Sequence, residues 1–450
     1  MLYFLKIDGG VTMLVVAKFG GSSVANANQF KKVKDIVLEK KPNYYRNVII
    51  ISALGKKEKD ESKITDLLYL LHAHLKYNVP YGNILDMIKK RFLDVKNDLG
   101  LKIDLEKDFN NLEKELTTDI SEDYLVSRGE FLTSKMMAEY LGYNFIDASS
   151  VIIFKYDGTI DYDKSYQLIE EAIKKNNKVV IPGFYGTYPN GVVKTFSRGG
   201  SDITGALVAA AINADYYENW TDVSGILMAD PHIIKNSKTI KEITYAELRE
   251  LSYMGASVLH EQTVFPVQKA SIPIKILNTN APSDEGTIIR EDCTNKDEII
   301  TGIAGKKNFT SFTVTKRQEV NKLMAIKDAL DVFSHFHVNV EHIPSSIDSF
   351  SVIVPNSDVE KNLYDIVSEI KRNNDIQDVT IDNDIALIAV VGRNMVYKPG
   401  ISGRIFGIVG NHNINIKMIA QGSQEINIIV GVSNKDFENT ISALYKDLVK

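Results

Sequence analysis

The chain has 450 residues, 44% of them hydrophobic and 25% charged, with a formal net charge of −5. That length allows two or three domains and a sizeable core, and basic residues spread along the chain argue against a nucleic-acid footprint. A single cysteine, Cys293, excludes an intrachain disulfide and a thiolate metal cluster.

Lys6 and Asp8 interrupt the first apolar run, so no signal peptide is expected, and residues 1–12 read as an upstream-start extension without a role in the fold. No stretch approaches the roughly 20 apolar residues a membrane span needs, and a cytoplasmic location follows as the default. Met13 opens a strand-like run, Leu14–Phe19, that breaks at Gly20-Gly21; a helical pattern follows to about Lys40. Val48–Leu54 is a second β-rich run, with a helical stretch from Lys63. Residues 82–118 read as an added helical lobe, whose run Lys89-Lys90-Arg91 is a solvated face. Lys178–Pro182, Ala214–Trp220 and Ile272–Leu277 are later strands, and Ser201–Asn213 is a small-residue helix. Strands alternating with helices predict an α/β fold with a mostly parallel sheet between helices.

Near residue 282 the pattern changes. Pro282, Gly286 and the charged run Arg290–Glu298 read as a linker, followed by short, sharply alternating strands. His337–Val354 (HVNVEHIPSSIDSFSVIV) and Asn413–Val430 (NINIKMIAQGSQEINIIV) then align without gaps, each preceded by an apolar helical stretch. Two copies of helix–strand–turn–strand predict two small α+β modules of one type. His335, His337 and His342 do not make a metal site on this reading, because strand alternation separates His337 from His342 and the repeat has Asn411, Asn413 and Met418 in their places.

Four segments carry candidate chemistry. Lys18-Phe19-Gly20-Gly21-Ser22 ends the first strand and opens a helix; glycines let the backbone approach an anion, and a lysine can meet a phosphate. A tight strand–helix turn explains the same residues equally well. Ser197–Asp202 (SRGGSD) places Arg198, a planar fork for a carboxylate, before an alanine-rich helix. In Ser127–Glu130 (SRGE), Glu130 can accept from an ammonium; a solvated loop is the competing reading for both segments. Asn219–Gly225 (NWTDVSG) is a strand end and turn of the kind that binds ligands in α/β folds. No P-loop, no GxGxxG after a strand, no protein-kinase triplets and no Ser-His or Cys-His nucleophile pattern occurs.

Together KFGGSS, SRGE, FSRGGSD, TDVSGI and LSYMGASVLH resemble, in order and spacing, the aspartate kinase branch of the amino-acid kinase family, and the paired C-terminal modules resemble ACT domains. The resemblance implies an amino-acid kinase domain over residues 13–285, a first ACT module over 299–380 and a second over 381–450. It implies transfer of the γ-phosphoryl of MgATP to the β-carboxylate of L-aspartate, with no covalent enzyme intermediate. Lys18 would then stabilise the transferring group, Gly20, Gly21 and Ser22 would cradle it, and Asp202 would orient the lysine or a metal-bound water. Glu130 would hold the substrate ammonium and Arg198 its α-carboxylate, with Thr65, Phe184 and Ser201 lining the same pocket. Thr221, Asp222, Leu227 and His232 would contact the nucleotide; no protein metal site is implied.

Leu227, His232, Ser257 and Glu261 depart from the residues many relatives carry, all on the nucleotide side, while the amino-acid side is intact. The resemblance further implies an amino-acid effector, lysine first and threonine second, at Asn339, Val340, Glu341, Ser345 and Ser346, with Gly400–Gly403 as a second loop, and a homodimer or tetramer. A glutamate or N-acetylglutamate kinase and a non-catalytic amino-acid sensor are the rival readings. A fused homoserine dehydrogenase is not expected, since the sequence ends at Lys450.

Overall fold

The computed structural model describes residues 13–449 apart from 59, 198, 257, 258, 260, 294–297 and 423–425, with backbone alone at 261, 262 and 396. Residues 1–12, Arg198 and Ser257 therefore lie outside the described residues. The chain divides into two compact units: residues up to 226 with 241–245 and 258–293, and residues 227–240 and 246–257 with 294 onward. Among the described residues no helix is long and apolar enough to cross a membrane.

In the first unit, β1 (Met13–Phe19), α1 (Ala27–Leu38), β2 (Tyr44–Ile51), α2 (Ile64–Lys76), α3 (Gly82–Leu99), α4 (Leu105–Glu115) and α5 (Glu122–Leu141) come first. They are followed by β3 (Asn144–Phe145), α6 (Tyr162–Lys175), β4 (Val179–Pro182), the hairpin β5 (Tyr185–Thr187) and β6 (Val193–Thr195), α7 (Gly200–Ala211) and β7 (Tyr216–Thr221). Then come β8 (Glu242–Thr244), α8 (Tyr245–Tyr253), which beyond Tyr245 belongs to the second unit, α9 (Glu261–Lys269), β9 (Ile274–Asn278) and β10 (Thr287–Arg290). Eight strands form one sheet in the order β3-β4-β2-β1-β7-β9-β10-β8, parallel throughout except for β9–β10. The run Val48–Ile51 is wholly buried, as a β-branched strand covered on both faces must be. Helix ends follow local chemistry: Asn26 and Ser121 accept amides of the first turns of α1 and α5, and α3 and α5 stop at Gly100 and Gly142, both left-handed. The expected linker after residue 282 is partly sheet. Thr287–Arg290 is β10, entered through Gly286 at φ 69°, and its β-branched residues pair with β9 and β8.

In the second unit, β11 (Gly302–Lys316), α10 (Lys322–His335), β12 (Ser349–Pro355), α11 (Asn356–Val359), α12 (Leu363–Arg372), β13 (Ile376–Val391), α13 (Ile401–Asn411), β14 (Met418–Gln421), β15 (Asn427–Val432) and α14 (Phe437–Leu448) build one antiparallel sheet with helices. Its order is β12-β11-β13-β15-β14. The repeat is visible in the backbone: α10 and α13 are each followed by a left-handed residue, His337 at φ 57° and Asn413 at φ 56°. Two expectations fail. The strands are not all short, since β11 has 15 residues and β13 has 16. And the first strand of the first copy survives only as isolated bridges at His342 and Ser345.

Strand β13 runs across residue 380, so the two modules share it. Irregular register between Lys306 and Phe309 splits β11: Ile303 packs with Ile388, Val390, Ile405 and Leu444, whereas Phe312 and Val314 pack with Phe333, Val352 and Ile366. The first module is thus an insertion into the second, which takes residues from both sides of it.

Candidate active site

Strands β1, β2, β4 and β7 run parallel, so Phe19, Ile51, Pro182 and Thr221 end at one edge of the sheet, where open α/β sheets bind ligands. A cleft of about 660 Å³ opens there, lined by Gly20, Gly21, Ser22, Ala53, Gly55, Lys56, Lys57, Thr65, Glu130, Thr221 and Asp222 among others. Seven of the residues expected from the motifs are therefore brought together.

The Gly20-Gly21 turn is built for close approach rather than for unusual dihedrals, as Gly20 has φ −70°. The Gly20 N–H donates to the Trp220 carbonyl at 3.0 Å, and the Gly55 N–H donates to the Gly21 carbonyl at 3.0 Å. A Cβ on Gly55 would lie 2.4 Å from that same carbonyl oxygen. The two loops can meet only without a side chain there. Phe19 stacks on Trp220 beneath the turn, ring centroids 5.9 Å apart.

Lys18 is buried, and its Nζ lies 2.7 Å from Asp202 Oδ1. Asp202 stands in the first turn of α7, where the helix N-terminus favours an anion. Helix α7 starts from left-handed Gly199, φ 57°, and a Cβ at Gly200 would strike the Phe184 ring at 2.6 Å. Phe184 itself has φ 80°, a strained value for a residue with a side chain, and its N–H donates to Thr204 Oγ1. Gly183 packs directly against Ser201, so Phe184 and Ser201 meet at the start of α7, beside Asp202.

Glu130 lies in the middle of α5. The solvated-loop reading of Ser127–Glu130 is overturned, because Leu125, Val126, Leu132 and Met136 bury the helix on both flanks. Among the described residues, Glu130 Oε2 has no hydrogen-bond partner. Burial pushes its carboxyl up to about 8, a rise that the Ala53 amide only partly opposes. Glu130 is thus a neutral acid at pH 7, lining the cleft and lacking a cation. Neighbouring Arg128 is occupied elsewhere, stacked over Tyr124 at 4.4 Å and Phe131 at 4.5 Å.

Thr221 Oγ1 donates to Asp222 Oδ1 at 3.0 Å at the mouth of the cleft. Leu227 and His232 belong to the second unit: Leu227 bridges to Thr239, and the 93% exposed His232 ring bonds Asp230 at 2.8 Å. Glu261 opens α9. In the second unit Asn339 Nδ2 donates to Asp358 Oδ2 at 2.9 Å, and the Glu341 carboxylate accepts from the Tyr253 hydroxyl. Ser345 and Ser346 are exposed in the turn, and Val340 is half-buried.

Two features escaped the sequence reading. Residues Ala53-Leu54-Gly55 after β2 form the second wall of the cleft; their only signal was position at a strand end. The other is the part played by Asn219, read from the sequence only as the start of a strand-end segment and found here as a buried amide bonded to both Lys18 and Asp202.

Among the described residues no cluster of three acidic, histidine or cysteine side chains could hold a metal ion. A hard divalent cation is commonly held by one or two carboxylates plus substrate phosphates, keeping several waters. Asp202 fits that pattern, since Lys18 and Asn219 both engage its Oδ1 and leave Oδ2 to other partners.

The amino acid kinase family model matches residues 13–278, and an ACT domain model matches residues 388–448. The chain is 32% identical over 447 residues to aspartokinase 3 of Bacillus subtilis, covering 96% of this chain and 98% of that one. It is similar to the solved aspartate kinase of Clostridium acetobutylicum, with 45% identity, a TM-score of 0.90, and coverage of 97% of this chain and 100% of that one. It is also similar to E. coli aspartokinase III solved in complex with lysine and aspartate, at 25% identity and a TM-score of 0.74, with 97% and 100% covered.

Proposed function

The chain belongs to the amino acid kinase family, in its aspartokinase branch, and on that premise we propose that it transfers the γ-phosphoryl group of MgATP to the β-carboxylate of L-aspartate, giving 4-phospho-L-aspartate. The observation that carries this reading is one cleft walled by the Gly20–Ser22 and Ala53–Gly55 loops and by a neutral Glu130 whose Oε2 has no hydrogen-bond partner among the described residues.

The carboxylate oxygen attacks the γ-phosphorus, the P–O bond to ADP breaks, and the electron pair leaves with ADP. The protein needs no nucleophile of its own, so its work is positioning and charge stabilisation. Lys18 neutralises charge on the transferring group, and the amides around Gly20, Gly21 and Ser22 cradle it. Asp202 orients Lys18 and would be the carboxylate facing Mg²⁺ arriving with the nucleotide, which would supply further charge neutralisation. Glu130 gives up its proton to pair with the substrate ammonium. Arg198 takes the α-carboxylate, while Thr65, Phe184 and Ser201 close the pocket. Thr221, Asp222, Leu227 and His232 serve the nucleotide.

Hydroxylamine traps an acyl phosphate as a coloured hydroxamate. With MgATP the chain is expected to form hydroxamate from aspartate and not from glutamate. Product from glutamate alone would support the rival kinase, and none from any substrate would support the sensor.

The paired modules are the regulatory part of this reading, with lysine as effector at Asn339, Val340, Glu341, Ser345 and Ser346. The lysine complex of E. coli aspartokinase III supports that choice. Lysine is expected to lower the rate and raise the melting temperature in titrations where threonine does less; no response to either sinks the idea. An isologous dimer through the modules and a cytoplasmic setting, where ATP and free aspartate are at hand, complete the proposal.

A further inference from the structure

Asn219 lies on β7 directly opposite Lys18 on β1 and is 4% exposed. Its Oδ1 accepts from Lys18 Nζ at 3.2 Å, and its Nδ2 donates to Asp202 Oδ1 at 2.8 Å. Lys18 Nζ and Asp202 Oδ1 are themselves 2.7 Å apart, which closes a triangle. An ammonium only donates and an ionised carboxylate only accepts, so the amide has a single satisfactory orientation. Two of the three Lys18 N–H donors end on Asp202 and Asn219. The third is left for the space beside Gly20, where a Cβ would come to 3.5 Å from Nζ. Tyr217, on the same strand, donates its hydroxyl to the Asp202 carbonyl at 3.2 Å and so ties the first turn of α7 to β7.

We propose that Asn219 is a positioning residue for the phosphoryl transfer, holding the Lys18 ammonium and the Asp202 carboxylate against each other without adding charge. The inference rests on the kinase reading above. Few side chains of this length can accept from a cation and donate to an anion at once. An aspartate there would put a second carboxylate beside Asp202. A leucine would leave the ammonium tethered at one point and free to swing away from the Gly20 loop. Among the described residues the titratable groups facing this position are Lys18 on β1, Asp202 on α7 and Tyr217 on its own strand.

The test compares the full-length wild type with Asn219→Leu and Asn219→Asp in the hydroxamate assay, across pH, with melting temperatures measured in parallel. Asn219→Leu is expected to lower kcat by about 10- to 100-fold while KM for aspartate and for ATP stays within about threefold of wild type. In Asn219→Asp the introduced carboxyl shares a proton with Asp202. When protonated it matches the amide, accepting through C=O and donating through O–H. The activity of this variant relative to wild type is therefore expected to climb as pH falls, which a packing role alone does not produce. A kcat for Asn219→Leu within about twofold of wild type, or an Asn219→Asp profile parallel to wild type, overturns the positioning role alone. A wild type that forms no hydroxamate from aspartate overturns the kinase reading and this inference with it.

Discussion

Replacing Lys18 with methionine is expected to lower kcat by about 10³-fold while the chain still folds. Lys18 is the one cation that the β1 strand carries to the sheet edge beside the Gly20-Gly21 turn, and it is buried against Asp202. Charge on the transferring oxygens is worth most to neutralise in such a site, where water screens little. Methionine keeps length and apolar bulk. Asp202, 21% exposed at its side chain, keeps the Asn219 hydrogen bond, so the lost ion pair costs about 1–2 kcal/mol of stability rather than the larger penalty of a stranded, fully buried charge. Nucleotide affinity should fall only a few-fold, because the loop amides remain. Arginine is not a substitute: its longer planar fork cannot occupy the space between Asp202, Asn219 and Gly20. Steady-state kinetics with a calorimetric melting scan checks both halves. A Lys18→Met enzyme with near-normal kcat would remove the lysine from the chemistry.

Replacing Glu130 with glutamine is expected to reduce kcat/KM for aspartate by about 10²- to 10³-fold, since an amide cannot answer an ammonium with charge. Stability should move the other way. Burial raises the folded carboxyl to about 8, from an ordinary value of 4.5. The folded state thus binds a proton that the unfolded state has released, so stability is full below the unfolded value and is lost as pH rises toward 8. Glutamine lacks this loss. Wild type and variant should melt alike near pH 4.5 and diverge at about 1.4 kcal/mol per pH unit above it, the variant being the more stable at pH 8. The same proton appears in binding. Between these values aspartate binding releases one proton to the buffer, so affinity improves as pH rises toward 8, and calorimetry in buffers of different ionisation enthalpy reads it directly. Identical melting curves at all pH would show that Glu130 is already charged in the free enzyme.

Much of this site was legible from the chain because it sits where strands end. Lys18-Phe19-Gly20-Gly21 announces itself by an apolar run broken by glycines, and the turn does lie at the sheet edge. Glu130 was different. Its segment was legible as a candidate ammonium acceptor but equally as a solvated loop, since polar residues inside a buried helix look like any short polar stretch, and its place on a buried helix was not readable. Asn219 was beyond reach because its partner Lys18 is 201 residues away and the pairing of β1 with β7 is set by tertiary packing. In the C-terminal third the preserved register of the repeat was readable, and the left-handed residue after each helix falls at its matching positions His337 and Asn413. The long strands β11 and β13 were not, because irregular pairing lets the two halves of β11 serve different cores without any break in β propensity.

The central claim, direct attack of the aspartate β-carboxylate on the γ-phosphorus, is tested most directly with aspartate labelled by ¹⁸O in that carboxylate. After turnover with unlabelled MgATP, hydroxylamine displaces phosphate from the acyl carbon, and the bridging oxygen leaves with the phosphorus. The released phosphate should carry one ¹⁸O per ADP formed. Phosphate that is wholly unlabelled while ADP accumulates would mean that water, not aspartate, accepts the phosphoryl group, and would contradict the account.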